Sequence, residues 1–580
     1  MPEIAPALSS LSFKVNGTPA PNDAMDQFVS ASIETSTNLP GRFAVTFRDE
    51  SSDLVRTLGA AVGDSVDLAV VTNEESSKPL LKGEVTALET EFTPEGTRTV
   101  VRGYEKTHRL QFGRKVKTYV NQTYSDIVRT IVSGAGLAVG SVSAGNHVHD
   151  WVAQNNISDW EMLLTMAGEV GCVITSRNGK VDFEPPTKAS SAPDAGSTHD
   201  YGGAKLVRGA NLLRGRIALS GSQQVSKVTV RSWDDGGKQA LIGTANASSN
   251  GHSNSWTPSG LAGSFGAKEV TEVRSGFDKQ DLNQTRAASL ADQVGSTAAE
   301  IEGMAFGDPI LQANEAVSIA GFGKPFDGKF VLSNVRHEFD WDGYRTWFTA
   351  GGRHDRSLLG WTGGHGVAHS GFDAYSTVSA IVTNNNDEAK SLNRVKVKIP
   401  SVADDFETDW IPVVQAGAGA SRGSVFLPEV NDEVLVAFQQ NDIRRAVVLG
   451  GMHNGTDTPK IKGAELVKGG QVVQRAIVSR SGHTLVLSDD ESKQQVALST
   501  SDSNHTLVLD QTGMQITVTG TGKVTISGAQ DVTVKSDTNL NLQGTQVKIT
   551  ATGPLQLQGA TVKIAADGPL EASGAIIKLN

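Results

Sequence analysis

The chain has 580 residues, 62 of them glycine, and 52 Lys plus Arg against 63 Asp plus Glu, for a formal charge of −11. Glycine exceeds its usual share of about 7%, and with many Val and Thr this favours turn-rich β structure over helical bundles. The acidic balance argues against nucleic acid as a partner, and the single cysteine, Cys172, excludes a disulfide framework or zinc ribbon.

No basic segment followed by a long apolar run opens the chain, and no stretch approaches about 18 apolar residues. The expectation is synthesis in the cytoplasm without a signal peptide. Residues 8–120 read as strands: "FKVNG", "FAVTFRD", "SVDLAVV", "KGEVTALETEF" and "RTVVRGY" alternate or run apolar between turn residues. Two helices follow. Thr123 and Asp126 cap the first, whose Tyr124, Ile127, Val128, Ile131 and Val132 share one face. Ser158 and Glu161 form a capping box for the second, with Trp160, Leu163, Leu164 and Ala167 as its buried stripe. "CVITSRNGKVDFEPP" predicts a hairpin turning at Asn178-Gly179.

Further strands are predicted at "RGRIALSG", "SKVTVRSWDD", "KFVLSNVRHEFD" and "YRTWFTAGGR", with a helix within 276–300. Residues 353–374 read as a linker. Over 375–456, "RVKVKIP", "WIPVVQ", "DEVLVAFQ" and "RRAVVLGG" predict a small closed barrel of the OB type, with an SH3-like barrel as the alternative.

The tail, 457–580, repeats every 15 residues. Leu540, Leu542, Gly544, Val547 and Ile549 recur as Leu555, Leu557, Gly559, Val562 and Ile564, then as Leu570, Ala572, Gly574, Ile577 and Leu579. Val524, Ile526, Gly528, Val532 and Val534 form a weaker earlier copy. A single ribbon of this kind has apolar residues with nothing to cover them and two open edges. Three copies wound together would cover the faces and pair the edges. The fold class expected is therefore mainly β, ending in a trimeric β-helix or β-prism needle whose core holds Leu540, Leu542, Val547, Ile549, Leu555, Leu557, Val562, Ile564 and Leu570.

The block "NRVKVKIPSVADDFETDWIPVVQAGAGASRGSVFLPEVNDEVLVAFQQNDIRRAVVLGGMHNGTDTP" resembles the OB-fold domain of VgrG-type spike proteins and contractile-phage baseplate spikes. "RGYEKTHRLQFGRKVKTYVNQTYSDIVRTIVSGAGL" and "NNISDWEMLLTMAGEVGCVITSRNGKVDFEPP" resemble the hub of that family, similar to phage late-control D proteins, as does "VLSNVRHEFDWDGYRTWF". The resemblance implies a hub of β-barrel subdomains with a few helices over 1–352. It also implies inner-tube and baseplate proteins as partners at the hub, and adaptation of three-fold to six-fold symmetry. A PAAR-type tip protein at the needle end, and an effector cargo, complete the partners the family allows. The Leu39-Pro40-x-x-Phe43 element looks closer to extracellular phage-like injection systems than to type VI secretion spikes or tailed-phage baseplates. The expected location is a phage tail-like particle, delivered outside the cell or into a target envelope. Gly574, Ile577, Leu579 and Asn580 are the expected tip-docking residues.

No catalytic, cofactor or metal residues are expected. Between Gly455 and Leu466 no enzyme domain fits. His354, His365 and His369 lie among glycines that oppose a metal-binding helix; His483 and His505 would coordinate an ion only if turned to a three-fold axis. Asp404, Asp405, Glu407 and Asp409, and Glu429, Asp432 and Glu433, read as solvated loops, and "SRSGHTL" lacks a nucleophile elbow. A β-helical polysaccharide-active enzyme would need acidic or Arg clusters recurring on the tail. A glycan-binding fibre would need exposed aromatics, which 466–580 lacks.

Overall fold

The computed structural model describes residues 9–71, 77–177, 179–234, 237–266, 268–274, 276–351, 377–388 and 392–578. Contacts divide the chain into two units, Met1–Thr458 and Pro459–Asn580. The 353–374 stretch with its three histidines, Asn178, Leu579 and Asn580 lie outside the described residues. The fold is mainly β with a few helices, as the patterning predicts.

The first unit opens with strands β1 (Phe28–Ser36), β2 (Leu39–Arg48), β3 (Ser65–Val71), β4 (Ser77–Thr93) and β5 (Gly96–Glu105). Alternation sets their faces: Phe43, Val45 and Phe47 of β2 are buried, while Arg42 and Arg48 point the other way and are exposed. Helices α1 (Tyr124–Gly134) and α2 (Asp159–Val170) begin at the predicted boxes, with Asp126 N donating to Thr123 Oγ1 at 3.1 Å and Glu161 N to Ser158 Oγ at 3.2 Å. Strand β6 (Leu212–Leu219) follows, then β7 (Gln239–Asn246), α3 (Gln280–Ser296), β8 (Ala299–Phe306), β9 (Gly328–Asp340) and β10 (Gly343–Gly351). One large sheet runs β6–β8–β10–β9–β1–β2–β5–β4 and continues through β3 to Ser10–Val15.

A separate small sheet ends on β7, and α3 closes that edge with side chains. Gln280 Nε2 donates to Ile242 O at 2.7 Å and its Oε1 accepts from Ile242 N at 3.2 Å. Gln284, one turn on, repeats the pair on Thr244 at 2.9 and 3.3 Å. Two primary amides thus stand in for a neighbouring strand. The helix comes this close because of Gly243, where a Cβ would fall 2.2 Å from the Asn283 carbonyl.

The barrel segment contributes β11 (Thr377–Asn384), β12 (Lys396–Lys398), β13 (Glu433–Phe438) and β14 (Ala446–Gly451), ordered β12–β11–β13–β14. "WIPVVQ", predicted as a full strand, makes only the isolated bridges Val395–Ile411 and Val413–Val448. Pro412 has no N–H to continue a ladder, although its carbonyl accepts from Val448 N at 2.9 Å.

This barrel shares one core with α1 and α2. Ile127, Met162 and Phe183 belong to the same buried cluster as Val382, Phe406 and Val436. Trp151 meets Phe406 edge-on at 5.7 Å, and its indole N–H donates to Glu407 O at 3.2 Å. At the centre lies Arg444, its side chain 6% exposed. It donates to Asp442 at 2.8 and 3.0 Å, to Glu169 at 3.1 and 3.3 Å, and to Tyr124 Oη at 3.4 Å. Tyr124 donates to Glu169 and stacks on His149 at 4.1 Å. Burial, with help from His147 and Arg444, holds the His149 imidazole down at about 3.

Three outcomes are expected. Gly243→Val should destabilise the unit and free the β7 edge amides to exchange with deuterium. Arg444→Met leaves two buried carboxylates uncompensated and should cost about 3–5 kcal/mol in urea denaturation. His149 binds a proton far more readily unfolded than folded, so its contribution is complete above about pH 6.5 and is lost as the pH falls toward 3. His149→Gln should therefore flatten the fall in melting temperature between about pH 6.5 and 4.5.

Candidate assembly site

The second unit places its apolar residues on a single layer. Strands β15 (Gln474–Val478), β16 (Thr484–Asp490), β17 (Lys493–Ser499), β18 (His505–Asp510) and β19 (Gln515–Gly520) form an antiparallel meander. Register puts Ile477, Leu485, Leu498, Leu507 and Val518 in one row and Leu487, Val496, Leu509 and Ile516 in the next, on the same face. None of these side chains is buried. The predicted strip missed this face, although the alternation in "HTLVLD" and "QITVTG" carries it.

Beyond Gly520, residues 521–578 contain no hydrogen-bonded strand, although the repeat predicts two per unit. An extended chain needs a neighbour to complete a ladder, and a single copy does not supply one here. The repeat is nevertheless regular in three dimensions. Leu540 and Leu555 are each 55% exposed, Leu542 and Leu557 are 70% and 68%, and Val547 and Val562 are both 56%. Ile549, Ile564, Leu570 and Ile577 are also exposed, as is Ile576, which the 15-residue spacing did not single out. At the corners a Cβ on Gly544 would lie 3.3 Å from Gln546 O, and one on Gly559 3.4 Å from Thr561 O, so the glycines keep the turn tight. Of the tip-docking residues, Gly574 and Ile577 are described and exposed.

Lys396 lies 3.8 Å from Glu407 and 3.9 Å from Asp409 on the barrel surface, and Glu433 accepts from Asn454 at 2.8 Å. His483 Nδ1 accepts from Ser501 N at 3.2 Å. Among the described residues no three His, Cys, Asp or Glu side chains converge on a metal-sized site. Cys172 is buried, donates to Ser143 O at 3.3 Å, and has its thiol pushed up to about 12 by burial. Burial also raises Glu105 to about 7, but this carboxylate lies in the core accepting from Gly41 N at 2.9 Å. A cleft of about 570 Å³ is lined by Glu34, Arg42, Tyr104, His108, Phe112 and Asn334. Arg42 and Asn334 both donate to Glu34, and His108 is held 2.7 Å from Glu84, so these groups are engaged with one another. No described helix is long and apolar enough to cross a membrane.

Residues 378–453 match the family described as the type VI secretion system/phage-baseplate injector OB domain. Residues 63–340 match the Alg8 N-terminal domain family. That second range omits β1, β2 and β10, which pair directly with strands inside it, so it does not delimit a folded body. The type VI secretion system spike proteins VgrG2a and VgrG2b of Pseudomonas aeruginosa are each 36% identical over 70 residues, 11% of this chain. The aligned stretch spans only 8% and 7% of those relatives. A chain of the half-lidded Francisella PdpA-VgrG complex superposes with TM-score 0.51 and 9% identity, covering 88% of both chains. A chain of the lidded form gives 0.50 and 9%, covering 88% of this chain and 79% of that one. The protein thus carries the injector OB domain and has the fold of a VgrG-type spike.

Proposed function

We propose that the chain is the homotrimeric central spike of a phage tail-like contractile injection system of the extracellular type. In this role it joins an inner tube and baseplate to a membrane-piercing tip and adapts three-fold to six-fold symmetry. Its coarser role, a structural spike of the type VI or phage-baseplate kind, follows from the injector OB domain and the VgrG relatives. The observation that carries the trimer is the aliphatic face of the second unit, exposed with the same 15-residue period over successive repeats. Burying one such side chain is worth about 1.5–3 kcal/mol, and only another layer can supply that burial. Copies of the same strip match its period at every step.

The role is mechanical and uses no enzymatic chemistry. A PAAR-type protein docks through Gly574 to Asn580, with Ile577 and Leu579 in or beside the contact; Gly574, Ile576 and Ile577 are exposed. Inner-tube and baseplate proteins bind the first unit, and an effector can travel with the assembly.

Light scattering on the full chain should give about three times 61.0 kDa; a stable single-copy mass overturns the reading. Truncation at Ala566 should leave the trimer intact and abolish capture of a PAAR-type protein, and undiminished capture would place docking elsewhere. The chain should appear in sheath-bearing particles sedimented from culture supernatant. Strict retention in cells would favour a type VI system.

A further inference from the structure

The cleft beside Glu34 has a floor and a wall of different kinds. Its floor crosses five adjacent strands of the large sheet, β9, β1, β2, β5 and β4. Register sets Glu34, Arg42 and Tyr104 in one row across that floor, with Glu84 next in line. Thr86 enters from β4 at a bulge between Val85 and Ala87, an irregularity of the kind that re-aims a side chain. The wall is the short helix Lys106–Gln111, which follows β5. Buried Glu84 ties this helix to the sheet, accepting from Arg109 Nε at 2.6 Å and lying 2.7 Å from His108 Nε2. His108 is thereby held between two further rings, with centroids 5.8 Å from Tyr104 and 5.1 Å from Phe112.

The charges of the cleft are already spent on one another. Glu34 accepts from Arg42 at 2.9 and 2.6 Å and from Asn334 at 2.7 Å, and Arg109 answers Glu84. An anionic or cationic ligand would have to break one of these pairs, so the cleft suits a neutral one. What remains free is also neutral. The Tyr104 hydroxyl, the Gln111 amide and the Thr86 hydroxyl line the cleft and have no hydrogen-bond partner among the described residues. Each can donate and accept, as a ligand hydroxyl can. Beside them Tyr104 and Phe112 are 41% and 64% exposed. The negative face of an aromatic ring attracts C–H groups. An extended peptide would need an open strand edge, and the floor offers the face of paired strands instead.

We infer that this cleft binds a neutral saccharide of one or two pyranose rings. The sugar lays its C–H face on Phe112 and Tyr104 and turns its hydroxyls to Tyr104 Oη, Gln111 and Thr86. The volume of about 570 Å³ falls in the range of about 300–1,000 Å³ usual for small-ligand sites. The Arg42–Glu34–Asn334 group keeps its internal bonds and presents its remaining lone pairs and N–H groups to the same ligand. No bond is made or broken in the sugar, and the site adds a recognition function to the first unit whatever the number of copies in the assembly.

The test uses the full chain and two probes, cellobiose and N,N′-diacetylchitobiose, with glycerol as a control that has hydroxyls and no ring. Saturation-transfer NMR should show magnetisation passing from the protein to the ring C–H protons of at least one disaccharide and not to glycerol. Tyr104→Ala and Phe112→Ala should each weaken that binding by about tenfold, and Tyr104→Phe, which keeps the ring, should cost less. Gln111→Ala should also weaken it, and this exposed amide is not part of any ring contact. Trp341→Ala removes an aromatic side chain that is 92% exposed and does not line the cleft, and should leave binding unchanged. The replaced side chains are all exposed, so melting temperatures should match that of the parent chain. Absence of transfer to both disaccharides overturns the site. Transfer that survives Tyr104→Ala combined with Phe112→Ala overturns it as well, as does an equal loss on Trp341→Ala.

Discussion

An apolar face or a strand edge exposed to water must be covered, and this constraint separates the two units. In the first unit nearly every alternating face finds a layer within the same chain. Helices α1 and α2 close over the hairpin that follows them, and the barrel segment adds its side chains to the same core. Where no strand is at hand, Gln280 and Gln284 complete the backbone of β7 with their amides. In the second unit the residues are just as aliphatic, yet the single copy leaves them in water.

The buried ion cluster around Arg444 gives the first unit its rigidity of placement. A guanidinium taken out of water is costly unless its donors are satisfied. Here two carboxylates and a tyrosine surround it, drawn from α1, α2 and the loop before β14. Apolar packing between helices and barrel is tolerant of small slides, whereas a planar fork with several partners fixes orientation. For a structural spike, a barrel locked to the helices beside it is a mechanical property, and it comes from side-chain chemistry.

Burial shifts several titratable groups in the first unit. Glu105, His149 and Cys172 have shifted ionisation because they are buried among packed strands and helices. The acidic run beside Trp410 lies on the barrel surface near Lys396. Perturbed groups mark function when they line a cleft with a partner for proton transfer, and these are scattered through the core.

Much was legible locally. The capping boxes at Thr123 and Ser158 are short-range hydrogen-bond patterns, and a helix start depends on little else. Strand alternation identified β2, β4, β5, β9 and β10, and the 15-residue recurrence identified the exposed strip. Pro412 was visible in the sequence, but its effect depended on which neighbour would have met its missing N–H. Gly243 carries no signal in its own neighbourhood, because the need for glycine there arises from α3 lying on its backbone. The burial of Arg444 was not legible, because its partners Glu169 and Tyr124 lie hundreds of residues away. The sequence by itself determined the helix starts, the alternation of faces and the period of the repeat, since these arise from bonds and spacings within a few residues. Tertiary structure alone decided the order of strands in the large sheet, the shared core and the burial of Arg444, because each depends on contacts between residues far apart along the chain.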